Sequence, residues 1–192
     1  MAINKSIFIK YKKIFKRFRG GIFYIFLNGV VSHIPCWWIR KIIYKSFGMK
    51  IGINSRINIG VIVMKPWNIE IGNNTMINEN AILDGRGGLT IGNSCSISMR
   101  SIIYSASHYC DSDSFKIFYK HTRIGDCVWV GANSVILPGS YLNDFSVIGA
   151  NSLFKGNSIQ HGIYCGVPAV LVRFRSEMSK YNLDLSDIGF FV

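Results

Sequence analysis

Two of the four histidines, His108 and His121, lie close together in the segment 104–123. A neutral imidazole, with an ordinary pKa of about 6.5, can take a proton from an alcohol as the alcohol attacks a carbonyl group. Imidazole also binds zinc, but two histidines do not complete a three-histidine zinc site, so no metal is predicted. His108 is the stronger candidate, since His121 is interpreted as the rim of a loop.

The cysteines offer no alternative chemistry. They are odd in number and form no CxxC pair, which argues against both a disulfide framework and a thiolate metal site. A reducing compartment is the simplest interpretation, and we expect a cytoplasmic protein. The five are Cys36, Cys95, Cys110, Cys127 and Cys165.

Length and composition bound the fold that must position these groups. The chain has 192 residues, enough for one main domain and a small appendage. Hydrophobic residues make up 49% and charged residues 17%, with 19 glycines and 4 prolines, which excludes a disordered chain. A β-rich fold with many turns is predicted.

An aliphatic residue recurs every six positions from residue 51 onward, and a small residue follows four places later. The aliphatic positions are Ile51, Ile57, Ile71, Ile77, Leu83, Ile91, Ile97, Ile103, Ile124, Val130, Ile136, Leu142, Ile148 and Phe154. The small or short partners are Ser55, Val61, Thr75, Ala81, Cys95, Ser101, Val128, Ser134, Ser140, Ser146, Ser152 and Ser158.

A period of six matches neither an α-helix nor simple strand alternation, but it suits a short strand and a tight turn that repeat. Three such units close one triangular coil, and stacked coils pair as parallel strands. A β-sandwich is disfavoured because the six-residue phase runs unbroken from Ile124 to Phe154. We interpret Asn54, Asn58, Asn73, Asn74, Asn93, Asn133 and Asn151 as turn residues.

The phase is lost between Ile103 and Ile124, so a loop must leave the coil wall there. Loops on a rigid solenoid are frequent places for functional groups, because the scaffold fixes their ends. His108 lies in this loop, although a histidine that merely decorates a polar loop is the plain alternative.

The N-terminal part of the chain is strongly basic. The formal net charge is +12, and thirteen Lys and Arg precede the first acidic residue, Glu70. Such a surface attracts lipid headgroups or a phosphorylated or acidic substrate. Nucleic acid is not a predicted partner, because no nucleic-acid-binding motif accompanies the charge.

Residues 20–39 carry no formal charge and approach the length of a membrane span, but polar residues interrupt them. We expect a helical segment that caps the coils or lies on a membrane surface. The expected organisation is a basic, apolar helical segment at 1–50, a repeat domain at 51–173 with a loop at 104–123, and a C-terminal tail at 174–192.

Three motifs in order, IYSASHYCDSDSF, IGDCVWVGANSVILPG and CGVPAVLVR, resemble the loop histidine, coenzyme wall and closing coil of the hexapeptide-repeat acyltransferases. The resemblance covers Ile51 to Arg173, and LDGRGGLTIG resembles the sugar O-acetyltransferase branch. It implies an all-β domain, a left-handed parallel β-helix with an extruded catalytic loop.

By this resemblance His108 is the general base, and acetyl-CoA lies between adjacent prisms of a homotrimer. The backbone N–H of Ala132 would face the thioester oxygen, and Lys155 and Arg173 would meet phosphates unless they form a solvated basic face. Implied coenzyme residues are Trp129, Gly131, Ala132, Ala150, Lys155 and Arg173. Implied acceptor residues are Asn78, Asn80 and Asp84, although the two asparagines could equally form turns.

The implied function is acetyl-CoA-dependent O-acetylation of a sugar hydroxyl in surface polysaccharide biosynthesis, for capsule, exopolysaccharide or O-antigen. Two alternatives remain: N-acylation of an amino sugar carried on a nucleotide, and a non-catalytic trimeric scaffold. Peripheral contact with the inner face of a membrane, through the basic N-terminus, is also expected.

Overall fold

The computed structural model describes residues 21–176 and residue 183. Within them, successive short strands turn from one sheet to the next and pair in parallel with the strands of neighbouring coils. The first sheet contains β1 (Lys50–Ile51), β4 (Ile69–Ile71), β7 (Leu89–Ile91), β12 (Thr122–Ile124) and β15 (Tyr141–Leu142). The second contains β2 (Arg56–Ile57), β5 (Met76–Ile77), β8 (Ser96–Ile97), β13 (Trp129–Val130), β16 (Val147–Ile148), β18 (Gly162–Gly166) and β19 (Ala169–Phe174).

The third sheet completes the wall of the coils. It contains β3 (Ile62–Met64), β6 (Ile82–Asp84), β9 (Ile102–Ile103), β14 (Val135–Ile136) and β17 (Leu153–Phe154). A 3-10 turn at Pro66–Asn68 links the first two coils. Two further strands, β10 (Ala106–His108) and β11 (Ile117–Tyr119), form a separate antiparallel hairpin. The predicted parallel β-helix of hexapeptide repeats is confirmed.

The core is a stack of the aliphatic residues that recur every six positions. In the first sheet Ile51 pairs with Ile71, Ile71 with Ile91, Ile91 with Ile124, and Ile124 with Leu142. All the predicted aliphatic positions and their small partners are buried. Because each coil covers the apolar face of the next, no single coil could keep this core from water alone.

One corner of the coils carries a ladder of side-chain oxygens. The Oδ1 atom of Asn73 accepts from the N–H of Ile53 at 2.7 Å, and Asn93 Oδ1 accepts from the N–H of Asn73 at 2.8 Å. Asp126 and Asp144 continue the ladder at 2.7 and 2.8 Å. These carboxamides and carboxylates therefore satisfy backbone donors where the strands end.

Only some of the predicted turn asparagines adopt the left-handed conformation. Asn54, Asn74, Asn133 and Asn151 have φ between 53° and 56°. Asn58 is instead buried and donates through Nδ2 to Glu79 at 2.9 Å, while the ladder residues accept hydrogen bonds. Asparagine therefore has two roles in this wall. At some corners it adopts the positive φ of a tight turn, and at others its side chain bonds to a neighbouring coil.

An N-terminal segment covers the first coil. Helical residues 21–25 lead into a π-helical turn at Phe26–Val30 and a 3-10 turn at Val31–His33. The helix α1 follows at Trp37–Ser46, with Trp37, Arg40 and Tyr44 on its buried face. The prediction for residues 1–20 and for most of the tail lies outside the described residues.

This segment pairs with backbone groups that the end of a sheet would leave exposed. Asn28 donates to Val63 O at 3.1 Å and accepts from Val63 N at 2.8 Å, so it acts as a short substitute for a neighbouring strand. Arg40 donates to Ile57 O at 3.0 Å. Among residues 21–176, no helix is long and apolar enough to cross a bilayer.

Candidate active site

The β10–β11 hairpin leaves the wall at a firmly held root. Ser105 donates through its N–H to Asp84 Oδ2 at 3.1 Å and through its hydroxyl to Asp84 O, and its carbonyl accepts from Lys120 N at 2.9 Å. Beyond this root, Ser107 and His108 are exposed. The chain is thus fixed at the wall and open to solvent along the hairpin.

The His108 ring is held in a defined orientation. Its Nδ1 lies 2.7 Å from the carbonyl oxygen of Phe115, and the two rings stack with centroids 4.2 Å apart. A carbonyl can only accept, so the bond requires a proton on Nδ1. In the neutral ring Nε2 then carries the lone pair, which is the form that a general base needs.

A cavity of about 220 Å³ adjoins this ring. Its walls come from the hairpin, from the corner after β6 and from the corner after β14. The lining residues are Arg86, Tyr104, Ala106, Ser107, His108, Ile117, Leu137 and Pro138. The exposed histidine therefore lines one wall of a concave space.

Arg86 is fixed beside His108 by a buried carboxylate. The Nε and Nη2 atoms of Arg86 donate to the two oxygens of Asp84 at 2.9 and 3.0 Å, and Arg86 N donates to Oδ1 at 2.9 Å. Burial alone would raise the pKa of Asp84, but the hydrogen bonds from Arg86 and Ser105 outweigh it and lower that pKa. Asp84 is fully buried beneath the cavity, so it holds Arg86 rather than reaching an acceptor.

His121 lies away from His108, on a neighbouring cavity of about 800 Å³ that also includes Arg86. Its Nε2 is 2.9 Å from the Thr90 hydroxyl. This position is compatible with the interpretation of His121 as the rim of the loop. The residue also lines the larger cavity.

The remaining predicted residues divide between two edges of the prism. We define the histidine edge as the corner between the third and first sheets, residues 65–68, 85–88, 104–121, 137–140 and 155–158. The asparagine edge is the corner between the second and third sheets, residues 58–61, 78–81, 98–101, 131–134 and 149–152. Lys155 lies on the histidine edge, whereas Asn78, Asn80, Gly131, Ala132 and Ala150 lie on the asparagine edge.

The asparagine edge is built for close backbone approach. A Cβ atom at Gly131 would lie 2.6 Å from Ala150 N, so a larger residue does not fit there. The carbonyl of Ala132 accepts from Asn151 N at 2.9 Å, while its own N–H makes no hydrogen bond within the described residues. Ala132 itself is half-buried at this corner.

The two acceptor asparagines have local roles on this edge. Asn78 donates through Nδ2 to Ile97 O at 3.0 Å, and Asn80 occupies a turn with φ of 58°. On the second sheet, exposed Trp129 donates to Ser98 Oγ at 3.0 Å, and Arg173 is exposed on β19. Within one chain, the structure does not bring these residues to His108.

Sequence reasoning missed Arg86, Ser105 and Phe115 as site residues. The only signal for Arg86 was its place two residues after Asp84, and Phe115 contributes through its carbonyl and ring rather than through a reactive group. Among the described residues, no group of three or more His, Cys, Asp or Glu could hold a metal ion.

The chain has clear relatives among known proteins. Residues 121–156 match the family model described as bacterial transferase hexapeptide (six repeats). A segment of 59 residues is 37% identical to the Escherichia coli protein named lipopolysaccharide biosynthesis O-acetyl transferase WbbJ, covering 31% of this chain and 27% of that protein. The matched segments span 27% to 39% of the curated relatives' length.

Solved structures extend the similarity to most of the chain. A hexapeptide-repeat acetyltransferase of Vibrio cholerae in complex with acetyl coenzyme A is 27% identical, with a TM-score of 0.73 over 82% of this chain and 86% of that one. A galactoside acetyltransferase in complex with coenzyme A is 26% identical, with a TM-score of 0.73 over 83% and 80%. The predicted resemblance to hexapeptide-repeat acetyltransferases is confirmed.

Proposed function

We propose that this hexapeptide-repeat protein is an acetyl-CoA-dependent O-acetyltransferase that modifies a sugar hydroxyl in surface polysaccharide biosynthesis. The observation that carries the proposal is the orientation of His108, whose Nδ1 is bonded to the Phe115 carbonyl and whose Nε2 is left as a base. The names and ligands of the relatives support the acetyl donor, and the lipopolysaccharide protein supports a saccharide acceptor.

The proposed reaction is a direct transfer. Nε2 of His108 takes the proton of the acceptor hydroxyl while the hydroxyl oxygen forms a bond to the thioester carbonyl carbon. The tetrahedral intermediate then breaks its C–S bond and releases coenzyme A, and the imidazolium returns the proton to the departing sulfur. No acyl-enzyme is required.

Charge that develops on the thioester oxygen needs a donor that is already in place. The N–H of Ala132 fits this role, because Ala132 is half-buried at a corner and its N–H makes no hydrogen bond within the described residues. Lys155 and Arg173 are exposed cations suited to coenzyme phosphates. Trp129, Gly131 and Ala150 would line the remaining coenzyme groove.

The separation of the two edges supports a homotrimer. His108 and Ala132 serve one reaction only if the histidine edge of one chain faces the asparagine edge of another. A closed ring of three chains would place such a seam at each interface. Each groove would then take its base from one chain and its oxyanion donor from the next.

Mixed trimers test this arrangement. We expect His108→Ala and Ala150→Trp to be inactive separately, because one removes the base and the other blocks the groove. Refolding the two together in equal amounts should restore about a quarter of the wild-type sites. At those seams the base comes from an Ala150→Trp chain and the groove from a His108→Ala chain. A monomer in sedimentation, or no recovery on mixing, would contradict a shared site.

The central test of the function is His108→Ala. With acetyl-CoA and a panel of methyl glycosides and nucleotide sugars, release of free thiol should fall by about 10²- to 10⁴-fold. Acetyl-CoA binding by calorimetry should persist, and His33→Ala, which removes an exposed histidine of the N-terminal segment, serves as the matched control. Equal rates for wild type and His108→Ala would remove His108 as the base.

The same assay separates the alternatives. Preference for an amino-sugar acceptor over its hydroxyl counterpart would establish N-acylation, which the same base could serve. Failure to bind acetyl-CoA at all would favour the non-catalytic scaffold.

We also propose that the enzyme works at the cytoplasmic face of an anionic membrane. The helix α1 buries Trp37 and Tyr44 but exposes Trp38, Ile39 and Ile42. No acidic residue occurs before Glu70 in the sequence, and α1 itself carries Lys41 and Lys45 and no acidic residue. Exposed apolar residues beside lysines are typical of a surface that lies in a lipid interface.

Vesicle sedimentation tests this contact. Wild type should bind phosphatidylglycerol vesicles more tightly than phosphatidylcholine vesicles, and 0.5 M salt should weaken the binding. The double variant Trp38→Ser, Ile42→Ser should lose most of it. The control double variant Val170→Ser, Val172→Ser removes two similarly exposed apolar residues from β19, at the other end of the stack of coils. It should keep its vesicle binding. Equal loss in both double variants would refute a specific membrane face.

A further inference from the structure

A larger cavity opens on the histidine edge beside the space that adjoins His108. Its volume of about 800 Å³ is in the range of small-ligand pockets. Arg86 lines both cavities, so the two are neighbours across one side chain. The other lining residues are Lys65, Trp67, Asn68, Glu70, Gly87, Gly88, Leu89, Thr90, Tyr119 and His121.

The lining carries two cations, Lys65 and Arg86, and one carboxylate, Glu70. Glu70 is paired with Lys50 and Arg86 with Asp84, so Lys65 is the charged lining residue that has no ion pair within the described residues. The bonds from Arg86 to Asp84 use Nε and Nη2, while Nη1 makes no hydrogen bond within the described residues. Because Asp84 is fully buried, the guanidinium is held in place and keeps a donor for a ligand.

Two aromatic side chains line the same cavity with much of their surface exposed. Trp67 and Tyr119 are each 54% exposed, although Trp67 belongs to the 3-10 turn Pro66–Asn68 and Tyr119 to β11. Lys65 Nζ lies 5.7 Å from the centre of the Tyr119 ring, so a cation and an aromatic face meet at one side of the cavity. Apolar ring faces next to polar donors suit the mixed surface of a sugar.

Backbone forms another part of the lining, at Gly87 and Gly88. Gly88 has φ of +96°, and a Cβ atom there would lie 2.5 Å from Nδ1 of His121. A side chain at this position would therefore displace the His121 ring, whose Nε2 is 2.9 Å from the Thr90 hydroxyl. The glycine lets the imidazole lie close against the main chain at the rim of the cavity.

We propose that this cavity binds the acceptor saccharide through an anionic group, a carboxylate or a phosphate, held by Lys65 and Arg86 while the sugar ring lies on Trp67 or Tyr119. The inference rests on the proposed function, because the shared position of Arg86 would bring a neighbouring hydroxyl toward His108. The acceptor class is thus an acidic or phosphorylated sugar rather than a neutral one.

Saturation-transfer NMR on the full chain tests the ligand class without any catalytic turnover. The probes are methyl β-D-glucuronide, methyl β-D-glucoside 6-phosphate and, as the neutral match, methyl β-D-glucoside. We expect at least one anionic glycoside to bind about tenfold or more tightly than the neutral one, and 0.5 M salt to reduce the difference. The better anionic probe identifies carboxylate or phosphate as the recognised group.

Charge-matched variants locate the binding. Lys65 has φ of 49°, a conformation that asparagine tolerates, so Lys65→Asn removes the charge without a backbone change. It should weaken the anionic probe about five- to tenfold and leave the neutral probe unchanged, whereas Lys45→Gln on α1 should change neither. Trp67→Leu should weaken both glycosides.

The outcomes are separable from those of the proposed function. Equal binding of neutral and anionic glycosides, no binding of either anionic probe, or equal effects of Lys65→Asn and Lys45→Gln would each overturn the inference. Acetyl-CoA binding is measured separately on the same protein. If anionic glycosides bind but acetyl-CoA does not, the cavity stands and the acetyltransferase proposal fails.

Discussion

The coil wall and the β10–β11 hairpin follow opposite rules. In the wall, each aliphatic residue is covered by its counterpart in the next coil, as Ile97 is between Ile77 and Val130. In the hairpin, most side chains are exposed, and local contacts such as the Tyr109–Phe118 ring pair at 4.8 Å give it shape. Long-range stacking makes the wall a rigid support, and release from stacking lets the hairpin present reactive groups.

Thiol reactivity should show the largest contrast between these regions. Cys95 in the wall is buried, its Sγ lies 2.9 Å from Gly125 O, and burial raises its pKa to about 12. At pH 8 only about one such thiol in ten thousand is ionised. Cys110 on the hairpin is exposed. Ellman's reagent should therefore label Cys110 rapidly and leave Cys95 unlabelled until the protein unfolds.

Serine variants assign the labelling phases. Cys110→Ser should abolish the fast phase, and Cys95→Ser should leave it unchanged. Labelling of Cys95 at the rate of Cys110 in the native protein would mean that the wall opens as readily as the hairpin.

Side-chain truncation should separate the regions by stability. Ile97→Ala removes a fully buried side chain from the stack and should lower the free energy of unfolding by about 2–5 kcal/mol. Ile117→Ala on the hairpin removes a side chain that is 42% exposed and should cost less than about 0.5 kcal/mol. Guanidinium titrations at one protein concentration measure the loss of stability in each variant. Similar unfolding midpoints for Ile97→Ala and Ile117→Ala would contradict the contrast between the wall and the hairpin.

The junction between the regions should have a smaller, pH-dependent effect. Asp84→Asn weakens the hold on Arg86 and Ser105 and should lower the unfolding free energy by about 1–3 kcal/mol at pH 7. Because the pKa of Asp84 is lowered in the folded chain, its contribution is present above the ordinary pKa of about 3.9 and lost as the pH falls through the lower value.

The difference in unfolding free energy between wild type and Asp84→Asn should therefore become smaller below about pH 4. Glu70→Gln, which removes an exposed ion pair with Lys50, is the matched control and should change stability by less than about 1 kcal/mol. A gap that stays constant down to pH 2 would show that the Asp84 charge contributes nothing to the junction.

The wall could be predicted from sequence because its rule is local and repeated. Burial of Ile136, for example, follows from its phase alone, and so does burial of Ser134 two residues earlier. The roles of Asn73 and Asn133 could not be separated in this way. One accepts a hydrogen bond from the preceding coil and the other adopts a positive φ, and that choice depends on which backbone group lies above or below.

The candidate site shows the same division. His108 was identified from the broken phase, but its protonation geometry depends on the carbonyl of Phe115, seven residues away across the hairpin. Asp84 was predicted to touch an acceptor and instead lies beneath the cavity with Arg86. No pattern in the sequence distinguishes a carboxylate that meets a ligand from one that holds a neighbouring side chain in place.

By itself, the sequence determined the coiled architecture, its core and the place where a loop leaves it. A six-residue period buries its aliphatic side chains when they stack on their counterparts in neighbouring coils, and the period can be seen directly in the sequence. Only the tertiary structure decided which polar groups meet. Hydrogen bonds and cavities depend on contacts between residues far apart in the chain, such as Asn28 with Val63 and Arg86 with the hairpin, and these follow from how the coils and the hairpin pack.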